Sequence, residues 1–276
     1  MKRFFLIPLL LAALFACDRQ AENQLVLMSY NIRNSKAKDG DNAWDIRKDA
    51  TKEMIATIAP DVFGVQETLP NQMAYIREEC PDYKGYAVGR DDGIEKGEQM
   101  AIFYKTKYIE MKDCGTWWLS ETPDEPSYGW DAACRRTATW ALLYDKRNDK
   151  HFYCVNTHLD HKGPQARLNG LALVVSKIAG MNPEGYPLIL MGDFNVEPMD
   201  PCLHALDGLM LSARATALES DDTPSFNGWG NMRATEIDYI YYNGFSACTK
   251  FRTVTESFAG RPYISDHYPI VTTLCY

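Results

Sequence analysis

Short apolar runs of strand length recur along this chain, and the first two are each followed by a segment with helical features. The run Leu25 to Tyr30 leads through a polar loop to a segment from Trp44 to about Ile58, in which apolar residues recur every four positions. The run Asp61 to Val65 comes next, and Pro70 then opens a segment that extends to about Glu79. These patterns predict two strands, each followed by a helix.

Strands dominate the predicted middle of the chain. Five are expected in succession: Tyr83 to Gly89, Gln99 to Lys105, Lys107 to Lys112, Arg136 to Tyr144 and His151 to Val155. Before the fourth lies a long irregular stretch with four aromatic residues, Trp117, Trp118, Tyr128 and Trp130. Long loops of this kind in compact domains are either functional or packed down against the body. Two interpretations therefore stay open, in which the rings wall a pocket or only pack.

The last part of the chain predicts both helices and strands. The expected elements are a helix from Pro164 to Ala179, a strand from Pro187 to Met191, a helix-like piece from Pro201 to Leu206, strands at Glu236 to Tyr242 and Ala247 to Thr255, and a final strand after His267. No repeat, low-complexity tract or linker-like stretch divides the sequence. We therefore expect one domain, residues 24–276.

The N-terminal segment predicts export rather than a part of the fold. Lys2 and Arg3 precede an apolar run at 4–16, which is too short to cross a bilayer as a helix and is typical of a secretory signal. The run ends at Cys17 and resembles the bacterial lipoprotein signal, in which this Cys is lipidated and becomes the N-terminus. We expect a signal peptide at 1–16, a lipidated Cys17 with a tether at 17–23, and an extracytoplasmic protein anchored to a bacterial membrane. The alternative is an ordinary secretory signal with an accidental Cys.

Charge and cysteine content narrow the classes of function. The formal net charge of -8 over 276 residues is spread along the chain, and no Lys/Arg cluster stands out. This distribution argues against a tight grip on a nucleic acid backbone, without excluding a nuclease. The chain has eight cysteines including Cys17, and no pair has zinc-site spacing. One disulfide is possible in an oxidising compartment, but seven remaining thiols leave at least one unpaired.

Polar side chains follow several of the predicted strands. Asp193 and Asn195 come directly after the apolar run that ends at Met191, and in extended geometry both would leave the same face. A carboxylate beside a neutral amide suits a hard metal ion and its phosphate ligand. The alternative is that the two residues only cap the turn that leads to Pro198.

Other strand ends carry candidates with their own alternatives. Glu67 lies where a strand meets a helix, and it is either functional or a partner of the helix dipole. His158 and His161 are either a metal pair or ordinary surface histidines, and Glu98 is a weaker candidate. Asp238, in an aromatic strand, is costly to bury without a partner. The adjacent pair Asp266-His267 therefore predicts a hydrogen bond from Asp238 to His267 that fixes the tautomer of the ring.

Taken together, these segments resemble the endonuclease/exonuclease/phosphatase family, which includes pancreatic-type DNase. The matching segments occur in the family's order and are Ser29-Tyr30-Asn31-Ile32-Arg33, Gln66-Glu67-Thr68, Asn156-Thr157-His158, Gly192-Asp193-Phe194-Asn195, Ile237-Asp238-Tyr239 and Ser265-Asp266-His267. The fold that this resemblance implies is a DNase I-like four-layer α/β sandwich. Two mixed, largely antiparallel sheets face each other, helices cover both outer faces, and the site lies at one edge.

The resemblance also implies roles for individual residues. Glu67 is expected to be the main metal ligand, with Asn31 and Asp266 beside it, and oxygen ligands favour Mg²⁺ or Mn²⁺ over zinc. Asn195 and His158 are expected to hold the phosphate oxygens. The resemblance implies that Asp193 and His267 act on the attacking water, and that either of them is the base that takes its proton. Asp238 is expected to hold His267 in place. Arg33 is expected to contact the phosphate and not the metal.

The substrate is not fixed by these residues. We expect a monomeric phosphodiesterase or phosphatase that acts on a phosphorylated sugar, an inositol phosphate, a lipid headgroup or a nucleotide. An extracellular nuclease that cleaves DNA or RNA is the alternative. A catalytically silent binding lipoprotein is a minor third possibility, because every expected catalytic position is filled.

Overall fold

The computed structural model describes residues 23–276, which form two six-stranded sheets. The predicted signal peptide, Cys17 and the tether up to residue 22 lie outside the described residues. Within residues 23–276 no helix is both long and apolar enough to cross a membrane.

The described elements follow the predicted order closely. The strands are β1 (Gln24–Asn31), β2 (Val62–Thr68), β3 (Tyr83–Tyr86), β4 (Gln99–Lys105), β5 (Ile109–Trp118), β6 (Thr137–Asp145), β7 (Lys150–His158), β8 (Leu188–Asp193), β9 (Leu211–Ser212), β10 (Asp238–Asn243), β11 (Ala247–Thr253) and β12 (Ile270–Cys275). The α-helices are α1 (Trp44–Ile58), α2 (Pro70–Glu79), α3 (Pro164–Met181) and α4 (Ala213–Thr216). Short 3₁₀ turns lie at Gly40–Asn42, Pro201–Leu206 and Gly228–Gly230.

The two sheets share one plan. Their strand orders are β11-β12-β1-β2-β4-β3 and β5-β6-β7-β8-β10-β9. In each sheet the two central strands are parallel, β1 with β2 and β7 with β8, and the other neighbours are antiparallel. Parallel neighbours need a crossover connection, and α1 and α3 provide it for the two pairs.

Three apolar clusters hold four layers together. Between the sheets, alternate residues such as Leu25 and Leu27 of β1 belong to the same buried cluster as Ile189 and Met191 of β8. The outer face of the first sheet packs against α1 and α2, and that of the second sheet packs against α3. Since strand side chains alternate between faces, each central strand buries apolar residues on both sides. The predicted four-layer α/β sandwich is confirmed.

Near one edge, the layer between the sheets becomes polar. Asn156 of β7 is fully buried and donates to the backbone oxygens of Val65 and Ala101 in the other sheet, at 2.9 Å each. Its Oδ1 accepts from Gln66 Nε2 at 2.7 Å. The sheets approach so closely here that a Cβ on Gly64 would lie 2.8 Å from Asn156 Cγ, and only glycine leaves enough room. This polar contact fixes one sheet relative to the other just beneath the site.

Some predicted boundaries were wrong. β3 ends at Tyr86 rather than Gly89, and β5 continues through Trp118, where the sequence predicted an irregular stretch. The extension of β5 is stabilised by pairing with β6, in which Trp118 lies opposite Thr137. The short elements β9 and α4 were not predicted. All seven cysteines among the described residues are free thiols, so no disulfide forms there.

Candidate active site

The candidate site lies where the central strands of both sheets end. Asn31 and Glu67 stand at the ends of β1 and β2, and His158 and Asp193 at the ends of β7 and β8. The carboxyl ends of parallel strands meet at the same edge of a sheet, which is a common place for a ligand site. Asp238 joins them because it begins the antiparallel strand β10 and lies opposite Asp193.

A loop from the other end of the chain completes the site. Ser265 Oγ donates to the backbone oxygen of Asn31 at 2.7 Å, which ties this loop to the end of β1. The backbone oxygen of Asp266 accepts from the N–H groups of Asn227 and Gly228. These contacts bring Asp266 and His267 beside residues that precede them by more than 230 positions.

The converging residues surround a cavity of about 440 Å³. Its volume is in the range of small-molecule sites. Seven of the nine predicted site residues line it: Arg33, Glu67, His158, Asp193, Asn195, Asp266 and His267. Asn31 and Asp238 lie behind them and contact the lining residues directly. The further lining residues are Asn34, Arg90, Glu98, Cys134, Arg136, His161, Phe226, Thr235 and Ile237.

Glu67 is held by hydrogen bonds to both carboxylate oxygens. Oε1 accepts from Asn31 Nδ2 at 3.1 Å, and Oε2 accepts from the backbone N–H and the side-chain Nδ2 of Asn34, also at 3.1 Å. Burial opposes ionisation of Glu67, but these bonds and the charge of Arg33 outweigh it and lower its pKa. Glu67 is therefore a carboxylate at neutral pH.

Asp266 supplies a second carboxylate near Glu67. Its Oδ2 lies 3.5 Å from Arg33 Nη1, and burial raises its pKa, with Glu67 adding a repulsive charge. The two carboxylates are oxygen ligands that repel each other, which fits a hard divalent cation. The Asn31 amide beside them turns Nδ2 toward Glu67 and accepts from the Arg33 N–H through Oδ1. The alternative cluster of Asp193, Asp238 and His267 has ligand atoms within 4.8 Å of one another. It fits a metal less well, because Asp238 Oδ2 already accepts from His267 Nδ1 at 2.7 Å.

Asp193 lies at the centre of the site. Its Oδ2 accepts from Asn31 Nδ2 at 3.0 Å and lies 3.4 Å from His158 Nε2 and 3.7 Å from His267 Nε2. Burial and the negative charge of Asp238 raise the pKa of Asp193 to about 7.

The predicted hydrogen bond between Asp238 and His267 is confirmed. His267 Nδ1 donates to Asp238 Oδ2 at 2.7 Å, and both side chains are buried. Burial opposes the charged ring, but the charge and hydrogen bond of Asp238 outweigh it and raise the pKa of His267 to about 10. The bond turns His267 Nε2 toward Asp193 and the cavity.

Asp193 and Asn195 converge in another way than predicted. β8 ends at Asp193, and Asn195 has a φ of 54°, so the chain turns instead of staying extended. The turn is closed by Asn195 N–H, which donates to Asp193 Oδ1 at 2.9 Å. Asn195 Nδ2 donates to the backbone oxygen of Leu159. The capping interpretation thus describes the local geometry, and both side chains nevertheless line the cavity.

His158 and His161 do not form a metal pair. His158 Nε2 faces Asp193, whereas His161 Nδ1 lies 2.9 Å from Arg136 Nη2. Burial, together with the charges of Arg136 and Arg90, lowers the pKa of His158 well below its usual value. His158 is therefore neutral at physiological pH.

Comparison with known proteins agrees with this geometry. Residues 28–267 match the model of the Endonuclease/Exonuclease/phosphatase family. The chain belongs to this family. A mannosyl-6-phosphatase of Bacteroides thetaiotaomicron is 31% identical, with a TM-score of 0.87 over 91% of this chain and 100% of that one. A family protein of Bacteroides vulgatus is 33% identical, with a TM-score of 0.86 over 91% and 98% of the two chains.

A more distant relative matches by sequence. A protein of Acanthamoeba polyphaga mimivirus is 27% identical over 161 residues, which cover 56% of this chain and 60% of that relative's length. The matching family and the fold assign the chain to a group of phosphoester hydrolases.

Sequence reasoning missed Arg90 and Arg136 in this family member. Arg136 immediately precedes β6 and is 5% exposed, and its Nε lies 3.3 Å from Asp160 Oδ2. Arg90 is paired with Glu98, the weaker candidate, on the loop before β4. The available signal for Arg136 was its place at the start of a strand with alternating buried positions, where a charge needs a partner.

The aromatic stretch packs rather than walls the cavity. Trp117 is buried in the cluster beneath α3, and Trp118 Nε1 donates to the backbone oxygen of Arg90 at 2.8 Å. The ring of Tyr128 lies 4.6 Å from the guanidinium of Arg135. None of these rings, nor that of Trp130, lines the described cavity.

Proposed function

We propose that this chain hydrolyses the phosphoester bond of a small phosphorylated compound with the help of Mg²⁺ or Mn²⁺. The observation that carries the proposal is the convergence of a carboxylate pair and neutral phosphate donors around Asp193 in one cavity. A small substrate is favoured because the cavity volume of about 440 Å³ suits a single sugar, cyclitol or nucleotide unit.

The residues that would hold the metal ion are Glu67, Asp266 and Asn31. Such an ion would act as a Lewis acid and neutralise charge on the phosphate oxygens. Arg33 lies beside this set, 3.5 Å from Asp266, and donates to Asp39 through Nε at 3.1 Å. Nη2 also donates to Asp39, at 3.2 Å, so the N–H groups that would donate to a phosphate oxygen are those of Nη1 and the second one of Nη2.

Two neutral side chains would orient the phosphate from the other sheet. Asn195 is fixed by its bond to the Leu159 oxygen, and His158 is fixed by burial at the end of β7. Preorganised donors of this kind favour the transition state, because they need no reorientation as charge develops.

Asp193 and His267 would manage the proton of the attacking water. Asp193 lies between both histidines and the Asn31 amide, so a water bound at its Oδ2 would be oriented toward the phosphate. His267 Nε2 points at the same place, and Asp238 stabilises its charged form. We assign Asp193 to orient and deprotonate the water and His267 to stabilise the negative charge.

The similar mannosyl-6-phosphatase favours a phosphorylated sugar among the possible substrates. The test is hydrolysis, with Mg²⁺, Mn²⁺ or chelator, of sugar phosphates, inositol phosphates, nucleotides, sphingomyelin, a phosphodiester dye, DNA and RNA. Metal-dependent release of phosphate from a small ester with DNA and RNA intact is the expected result. Comparable cleavage of DNA or RNA would make a nuclease the better account, and no turnover on any substrate would favour a silent binding protein.

We also propose that a lipid on Cys17 anchors the protein outside the cytoplasm. The support is the order of Lys2, Arg3, an apolar run and Cys17 in the sequence. A Cys17→Ala variant should move from the membrane fraction to the soluble fraction after export. Continued membrane attachment of this variant would contradict the lipid anchor.

A further inference from the structure

One wall of the catalytic cavity contacts neither the phosphate nor the metal in the mechanism proposed above. Arg90, Glu98, Arg136 and His161 line it, and they come from the loops before β4, β6 and α3. These loops are fixed to the body of the protein. Trp118 Nε1 holds the backbone of Arg90, and Asp160 contacts the Nε of Arg136.

The wall presents hydrogen-bond donors without protein partners. Arg136 is 5% exposed, and its Nη1 is buried with no hydrogen bond among residues 23–276. The same holds, within this described part, for Arg90 Nε. Because a guanidinium can only donate, Nδ1 of His161 is the acceptor from Arg136 Nη2, and the proton of the neutral ring lies on Nε2. His161 therefore offers one more donor.

The charges of the wall are balanced. Arg90 forms an ion pair with Glu98, and Arg136 forms one with Asp160, whose side chain is buried behind it. A second phosphate or carboxylate would find no excess positive charge here. An apolar alcohol would leave the buried donors unpaired, which costs about 1–3 kcal/mol for each group. A hydroxyl group both donates and accepts, so it satisfies the arginine donors and the Glu98 carboxylate together.

The rest of the lining suits the same kind of ligand. Phe226, Thr235 and Ile237 also line the cavity. The ring of Phe226 packs edge-on against His267, and Thr235 pairs with Phe226 through the backbone. A ring that carries hydroxyl groups at its rim and C–H groups on its faces matches both the polar wall and the apolar side chains of Phe226 and Ile237.

We propose that this wall binds the hydroxyl groups of the substrate's alcohol part, so that the substrate is the phosphate ester of a polyhydroxylated ring, a pyranose or a cyclitol. The proposal rests on the proposed function for the phosphate side of the cavity. Arg90, Arg136 and His161 donate to ring hydroxyls, and Glu98 accepts from one. Specificity of this kind is strong, because an alcohol without hydroxyl groups leaves buried polar groups unpaired.

The test compares esters that share the phosphate and differ in the alcohol. The esters are mannose 6-phosphate, myo-inositol 1-phosphate and phenyl phosphate, and the variants are His161→Ala and the control His204→Ala. His161 is exposed at its outer side, so its loss should not disturb folding, and His204 is exposed and does not line the cavity. The ratio of kcat/KM on the preferred polyol ester to that on phenyl phosphate should fall about tenfold in His161→Ala, mainly through KM. The control should keep the wild-type ratio.

Binding measured by calorimetry in chelator, where hydrolysis stops, separates this proposal from the proposed function. Wild type should bind the polyol ester more tightly than phenyl phosphate or inorganic phosphate. In His161→Ala the ratio of these dissociation constants should be about tenfold smaller. If this holds without turnover of any ester, the wall is supported and the proposed function is wrong. An unchanged ratio in His161→Ala, or equal binding of polyol and phenyl esters by wild type, would overturn the proposal. Comparison of the two polyol esters distinguishes a pyranose from a cyclitol.

Discussion

The two halves of the molecule use one topology for different chemistry. In the first sheet, β1, α1 and β2 form a parallel pair with its crossover helix, and in the second sheet β7, α3 and β8 do the same. Each pair delivers two polar side chains to the same edge. The first pair ends in an amide and a carboxylate, Asn31 and Glu67, and the second ends in His158 and Asp193. The shared plan sets where side chains meet, and the residue types at the strand ends set what each half can do.

The loop after β1 and the loop after β7 are supported by buried side chains of opposite charge. After β1, the buried guanidinium of Arg47 donates to the backbone oxygens of Ile32, Arg33 and Ile264. After β7, the buried carboxylate of Asp160 accepts from backbone N–H groups instead. A loop that turns its carbonyl groups inward needs a donor, which here is a guanidinium, and one that turns its N–H groups inward needs an acceptor, which here is a carboxylate. Each half thus has a buried charge that keeps its catalytic residues in place.

The largest expected effect concerns the second half. Asp193→Asn keeps the shape of the side chain but removes the carboxylate that orients the attacking water. We expect kcat to fall about 10³-fold or more, with the folded state retained. His267→Ala should also lower kcat by orders of magnitude. Steady-state kinetics and thermal unfolding measure both effects, and Asp149→Asn, at an exposed turn, is a control. A near-normal rate would remove Asp193 from the mechanism.

The next effect belongs to the first half. Glu67→Gln should raise the Mg²⁺ or Mn²⁺ concentration needed for half-maximal activity by at least about tenfold, because a charged ligand becomes a neutral one. Calorimetric titration with the metal alone should show the same weakening. Asp193→Asn serves as the matched variant from the other half and should alter metal affinity much less. Equal weakening in both variants would contradict the division of roles between the halves.

A structural effect comes third. Arg47→Met removes the buried guanidinium while keeping much of its apolar stem, and it leaves the carbonyl groups of the β1 loop without donors. We expect a loss of about 3–5 kcal/mol in the free energy of unfolding, measured by urea denaturation. Lys48→Met, at a partly exposed position of the same helix, should change stability by less than about 0.5 kcal/mol. A similar small change for Arg47→Met would show that water replaces the donor.

The comparison also shows what the sequence could predict. Apolar runs with polar ends predicted β1, β2, β7 and β8 and the residues at their ends, because a buried strand and its exit are local features. The supports Arg47 and Asp160 were missed. Asp160 accepts from the N–H groups of Lys162 and Gly163 close by and from that of Cys134, which lies 26 residues before it. Arg47 contacts Ile264, which lies 217 residues away. Positive φ values at Glu67 and Asn195 were also missed, because neither residue type requires them.

The smallest effect should depend on pH and belongs to the second half. Burial opposes ionisation of Asp160, but the N–H groups of Gly163 and Lys162 and the charge of Arg136 outweigh it and hold its pKa well below the usual range. A depressed pKa adds stability that is complete above the unfolded-state pKa, about 4, and is lost as the pH falls from there toward the folded-state pKa. Asp160→Asn should therefore be less stable than wild type by about 2 kcal/mol at pH 7 and pH 5, and by less at pH 3.5. Urea denaturation at the three pH values measures this gap.

Asp124→Asn, whose side chain is 84% exposed, should show almost no gap at any pH. A gap for Asp160→Asn that stays constant down to pH 3.5 would mean that the carboxylate charge does not support the loop after β7.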